Sequence, residues 1–146
     1  MAFQNILVPV DGSETSYAAV AKAAEFAKAF NSKITVVQVL VLDPYIAAEY
    51  ISASQTNDLI ERARTSIVNN LSEVKEKFHA DGVEVETKLL EGQVVHAEIA
   101  QAAQDAKADL IVIGSHGRTG IKKFFLGSVA QSVLGASDIP VLVVRK

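Results

Sequence analysis

The chain has 146 residues, 49% of them hydrophobic, enough for one domain with a buried core and too few to expect two. Its formal net charge of -3, with no basic arm or stripe, argues against an electrostatic nucleic-acid binder, and the lack of cysteine excludes disulfides, thiolate chemistry and cysteine-ligated metal. No stretch approaches the ~20 apolar residues of a spanning helix, and the start lacks the basic region of a signal peptide, so a soluble, cytoplasmic protein is the expectation.

Residues 3–10, "FQNILVPV", form a short apolar run rich in β-branched residues and read as the first strand. "DGSE" interrupts it where Ser13 can cap a helix and Glu14 can sit in the first turn. Apolar positions then recur every three or four residues from Tyr17 to Phe30, until Asn31 and Ser32 stop the pattern. A second strand is expected over 33–42, closed by Asp43 and Pro44. Residues 44–54 show no clean period and are left without an assignment. Ile60, Ala63, Ile67, Leu71, Val74 and Phe78 then mark a long amphipathic helix ending near "HADG". In "VEVETKLL", 83–90, Val83, Val85, Thr87 and Leu89 alternate with charged residues, the sign of a strand with one wet face at a sheet edge. A third helix is expected over 91–108, with Val95, Ile99, Ala102 and Ala106 on one side, then a fourth strand over 109–115 and a fifth over 140–146. Strand and helix alternating throughout imply an α/β fold, a doubly wound parallel sheet with helices on both faces.

Four of the chain's eight glycines fall in "IVIGSHGRTGIKKFFLGSVAQSV", residues 111–133. Gly114 and Gly117 flank a tight turn at the end of the fourth strand, and Gly127 with Ser128 opens the next helix, where Ser128 and Gln131 have capping-box spacing. In an open α/β sheet ligands bind outside the carboxyl ends of the strands, and a helix N-terminus there suits an anion such as a phosphate. The plainer alternative is that these glycines serve only a turn and a helix entry. By the same measure Asp11 could be a turn residue before Gly12, Pro9 and Val39 could be buried for packing alone, and His116 could be a surface residue without a duty. Arg118, Lys122 and Lys123 add a little to the anion reading, while Phe124, Phe125 and Leu126 suit anchoring of the loop. His79 and His96 have no partner at metal-ligand spacing.

The spacing of Gly114, Gly117, Gly127 and Ser128, together with "NILVPVDGSE" near the start and "PVLVV" at the end, closely resembles the ATP-binding, single-domain branch of the universal stress protein family, over residues 1–146. The resemblance implies a five-stranded parallel sheet in the order 3-2-1-4-5, of the adenine nucleotide alpha hydrolase-like fold. It also implies ATP, with Mg, as the ligand. Pro9, Val10 and Asp11 would lie at the nucleotide, with Asp11 near the ribose or a metal. Val39 and Ile113 would line the adenine pocket, and Gly114, His116 and Gly117 would run along the ribose and phosphates. Gly127, Ser128 and Val129 would cup the phosphates. It further implies a homodimer in which Val141, Leu142, Val143 and Val144 of the fifth strand meet their copies, with no membrane insertion.

Other nucleotide-site classes fail on particular residues. "PVDGSE" stands where a dinucleotide-binding domain carries G-x-G-x-x-G, and no glycine loop is followed by G-K-[ST] or contains G-x-S-x-G. A phospho-accepting receiver needs an aspartate after its third strand, where this chain offers Glu91. Three readings stay open: an ATP-binding signalling module in the stress response, a slow ATP-hydrolysing enzyme with Asp11, His116 and Arg118 as its only contributors, and a nucleotide-independent dimeric interaction module. Binding is favoured over catalysis, because no constellation that would orient water and stabilise charge is visible.

Overall fold

The computed structural model describes residues 3–41, 53–116 and 127–145. Five strands, β1 (Asn5–Pro9), β2 (Lys33–Val41), β3 (Val85–Gly92), β4 (Leu110–Gly114) and β5 (Val141–Val144), alternate with helices α1 (Glu14–Phe30), α2 (Ala53–Ala80), α3 (Val95–Asp105) and α4 (Ser128–Ala136). The strands form one parallel sheet in the order β3-β2-β1-β4-β5. This is the expected architecture, and β3 is the edge strand its alternation announced. The stretch 44–54 lies outside the described residues except for its end, where α2 begins at Ala53.

α1 and α2 pack on one sheet face. Ala19, Ala23, Ala24 and Ala27 bring α1 close to the sheet, while Ile67, Leu71, Val74 and Phe78 of α2 complete the same core with Ile6, Val8, Ile34 and Val36. α3 and α4 cover the other face, where Ile99, Ala102, Ala103, Ala130 and Val133 meet Leu7, Val37, Ile111 and Ile113. A polar string crosses the first layer: the Tyr17 hydroxyl donates to Asn70 at 2.9 Å, and the Asn70 amide donates to Gln38 at 2.6 Å, tying α1, α2 and β2 together.

Several boundaries differ from the sequence reading for identifiable reasons. β1 starts two residues later than expected because Phe3 is left-handed, with φ 58°. Glu91 and Gly92 extend β3 rather than opening a helix, since pairing with β2 continues to Val41↔Gly92. The helix that follows stops before 108, with Ala106 as C-cap and Lys107 at φ 53°. Ser128 is not the cap of α4. Gly127 occupies that position, and Ser128 is the first helical residue, so the Ser128–Gln131 spacing falls one residue out of capping-box register.

Candidate functional site

The two crossovers after β1 and β2 run over one sheet face and those after β3 and β4 over the other, so the winding reverses between β1 and β4. The sheet parts at that seam. β1 and β4 pair only at Ile6↔Leu110 and Leu7↔Ile111, whereas β1 stays on β2 to Pro9↔Val37 and β4 stays on β5 to Gly114↔Val144. Pro9 helps to part it. Val10 gives its N–H to the Val37 carbonyl at 2.8 Å, so the preceding residue turns its nitrogen toward β4, and a proline has no proton to offer there.

Side-chain alternation sorts the expected site residues. Pro9, Val39 and Ile113 share the α3/α4 face with Leu7 and Val37; Pro9 and Ile113 are buried and Val39 half-buried. Val10 faces the other way, into the α1/α2 core at 7% exposure, so its side chain packs there and not at the seam. Asp11 follows β1 and is half-buried. Its Oδ1 accepts the Ser13 N–H at 2.9 Å, and its own N–H donates to Ser16 Oγ at 3.1 Å. The turn it closes depends on Gly12, at φ 83°. Ser13 then caps α1, its hydroxyl accepting the Ser16 N–H at 3.2 Å.

On the β4 side, Gly114 is a place of close approach. A Cβ there would lie 2.8 Å from both the carbonyl carbon and oxygen of Thr15, in the first turn of α1. The next residue, Ser115, is 2% exposed and hydrogen-bonds His116 Nδ1 through Oγ at 2.9 Å. The His116 carbonyl accepts from the Thr15 hydroxyl. His116 Nε2 is buried and has no hydrogen-bond partner among the described residues, which makes it a polar atom wanting one. The Ser115 carbonyl accepts the Gly127 N–H at 2.6 Å, which brings the start of α4 back against the end of β4.

α4 itself opens without a side-chain cap: Gly127, at φ -65° and ψ 156°, is the N-cap and supplies no side-chain hydrogen bond, while Ser128 and Val129 are exposed. The first-turn N–H groups of a helix lack partners within it and carry its positive dipole end. The structure thus brings together the ends of β1 and β4 and the start of α4. Gly117 lies outside the described residues, as do Arg118, Lys122, Lys123 and the apolar run 124–126. The sequence reading missed Thr15, Ser115 and Ser16, which hold the backbone of the seam. The signal available was a hydroxyl cluster, "DGSETS", facing a second glycine-serine step, "IGSHG".

Among the described residues no group of three or more His, Asp or Glu side chains could hold a metal, and no helix is long and apolar enough to cross a membrane. Against known proteins, the Universal stress protein family profile matches residues 2–145. Universal stress protein MJ0531 of Methanocaldococcus jannaschii is 36% identical over 99% of this chain and 83% of that protein. A universal stress protein crystallised in complex with cAMP is 27% identical, with a TM-score of 0.74 and coverage of 99% of this chain and 98% of that one. The universal stress protein of Archaeoglobus fulgidus in complex with dAMP is 26% identical, with a TM-score of 0.67 over 99% of both chains.

Proposed function

This chain belongs to the universal stress protein family, and from that premise we propose that it binds an adenine nucleotide, ATP with Mg, as a signalling module in the stress response with slow hydrolysis at most. The observation that carries the reading is the uncapped start of α4, set against the end of β4 beside the parted seam. A phosphate there would accept from the first-turn N–H groups, which the N-cap Gly127 leaves without a side-chain cap, and from the Ser128 hydroxyl, and its charge suits the helix dipole. His116 Nε2 supports the same reading, since a ligand oxygen would supply a partner. Pro9, Val39 and Ile113 offer an apolar face for a purine, and the two relatives crystallised with cAMP and dAMP share the adenine base. When bound, Mg would ride mainly on the phosphates, with Asp11 the carboxylate of the site set.

Calorimetry tests this reading. The wild-type chain is expected to bind ATP, and Gly127→Val with Ser128→Ala is expected to lose that binding while remaining folded. Unchanged affinity in the folded double variant would remove the site from α4. Turnover of ~1 per second or faster, abolished by Asp11→Ala with binding retained, would turn the reading into that of an enzyme.

The same reading includes a homodimer through β5. β5 ends the sheet, and Val141, Leu142 and Val143 are half-buried on an edge followed by the exposed Arg145. Val143→Lys is expected to shift the sedimentation coefficient toward the monomer. A wild-type chain that sediments as a monomer at tens of micromolar, with or without ATP, would rule the dimer out.

A further inference from the structure

We infer that Thr15 is the positioning residue of this site, linking the turn after β1 to the anion-facing start of α4. The inference rests on the nucleotide reading above for its functional consequence, though not for its geometry.

The hydrogen bonds around Thr15 can run in only one direction. A carbonyl cannot donate, so the Thr15 hydroxyl proton goes to the His116 carbonyl. The Ser13 and Thr15 hydroxyl oxygens are 3.3 Å apart, and with the Thr15 proton committed, Ser13 must be the donor between them. Ser13 Oγ in turn accepts the Ser16 N–H, and the Ser13 N–H is held by Asp11 Oδ1. Ser13 therefore donates both ways, through its N–H to Asp11 and through its hydroxyl to Thr15, and Thr15 passes the link on to the His116 carbonyl. One residue back, the Ser115 carbonyl holds the N–H of Gly127, the N-cap of α4.

Packing places Thr15 at the same point. Gly114 leaves room for the Thr15 backbone, and a side chain there would meet it at 2.8 Å. Thr15 is thus gripped by the β4 turn through its backbone and grips that turn through its hydroxyl. Thr15 ties the turn after β1 that holds Asp11 to the turn after β4 that holds Gly127, the N-cap of α4. Removing its hydroxyl leaves the His116 carbonyl without this donor. β5 still holds the Ser115 N–H through the Val144 carbonyl, so what loosens is the His116 end of the turn, next to the Ser115 carbonyl that holds Gly127 and with it the start of α4.

The test compares Thr15→Val, which keeps the shape and removes the hydroxyl, with Thr15→Ser, which keeps the hydroxyl. ATP affinity is read by calorimetry, and hydrogen exchange of the Gly127 amide by NMR. Thr15→Val is expected to bind about tenfold more weakly than wild type, the effect of losing a bond of about 1.4 kcal/mol, and to exchange the Gly127 amide faster. Thr15→Ser is expected to restore both. A structural role alone would lower the melting temperature without separating the two variants in affinity. Equal affinity in wild type and Thr15→Val, or equal weakness in Thr15→Ser and Thr15→Val, would overturn the inference. Should Thr15→Val not fold, Thr15→Ala replaces it, alanine being the best helix former. If the wild-type chain binds no adenine nucleotide, the functional reading falls. The positioning inference is then decided by the Gly127 amide alone: faster exchange in Thr15→Val and restoration in Thr15→Ser support it, and no difference refutes it.

Discussion

Two helices of this protein begin with the same dipeptide, Gly-Ser, at the carboxyl end of the sheet, and they begin differently. In α1 the glycine, Gly12, takes the left-handed turn at φ 83°, and Ser13 becomes the N-cap with its hydroxyl on the Ser16 N–H. In α4 the chain enters one residue earlier. Gly127 is the N-cap, without a side-chain cap, and Ser128 is already helical and exposed. α1 is capped from within, Ser13 holding the Ser16 N–H and Asp11 holding the Ser13 N–H, whereas α4 has no side-chain cap and its first two residues are exposed. A one-residue difference in register separates a closed structural joint from an anion-facing one.

The largest stability effect is expected where the two joints touch. Gly114→Ala sets a Cβ against the Thr15 backbone and is expected to cost about 1–3 kcal/mol, read by urea denaturation. A loss below about 0.5 kcal/mol would show that the first turn of α1 can yield, against the ordinary behaviour of packed interiors. Ser13→Ala comes next. It removes the α1 cap and is expected to cost about 1 kcal/mol, while Ser128→Ala, which removes no cap, is expected to leave the melting curve nearly unchanged. Equal costs for the two serines would erase the distinction drawn between the helices.

Gly127→Asp sharpens the comparison by giving α4 a cap of its own. Stability is expected to rise by a few tenths of a kcal/mol, the usual advantage of aspartate over glycine at an N-cap. Nucleotide affinity is expected to fall, because the new carboxylate occupies the amides and repels phosphate. A variant that binds ATP as well as wild type would place the phosphates elsewhere.

The smallest effect lies far from the seam, at the β3 edge. The Lys33 ammonium hydrogen-bonds the Glu86 carboxylate at 3.0 Å and holds its pKa below the usual carboxylate value. A lowered folded pKa means that the pair's contribution is present above the unfolded pKa, about 4.3 for glutamate, and is lost as pH falls through the folded value. Both side chains are exposed, so Glu86→Gln is expected to move the melting temperature barely at all. A carboxyl NMR titration of Glu86 should show a midpoint below that of a free glutamate, and a midpoint at or above it would deny the ion pair in solution.

What was legible in the sequence was whatever repeats or spaces regularly. The Ile60-to-Phe78 stepping fixed α2, the Val83–Leu89 alternation fixed an edge strand, and the glycine spacing drew attention to the turn after β4. What was not legible depends on contacts between distant residues. The α3 start was misplaced because "EGQVV" carries no local mark of its pairing with β2, which runs to Gly92. The cap of α4 was misassigned because Gly127 and Ser128 are both acceptable caps, and the choice follows from the bond between the Gly127 N–H and the Ser115 carbonyl. Thr15 was overlooked for the same reason: its partners are Gly114 and His116, about a hundred positions away in the chain.

The central claim is that α4, and not α1, is the helix whose N-terminus meets the ligand. Amide NMR of the wild-type chain titrated with ATP and Mg addresses it directly. The claim requires the largest shifts at Gly127, Ser128, Val129 and Ala130, with changes at Ser115 and His116 and little at Ser16 and Tyr17. Saturable shifts centred on the first turn of α1, with the α4 amides unmoved, would contradict it.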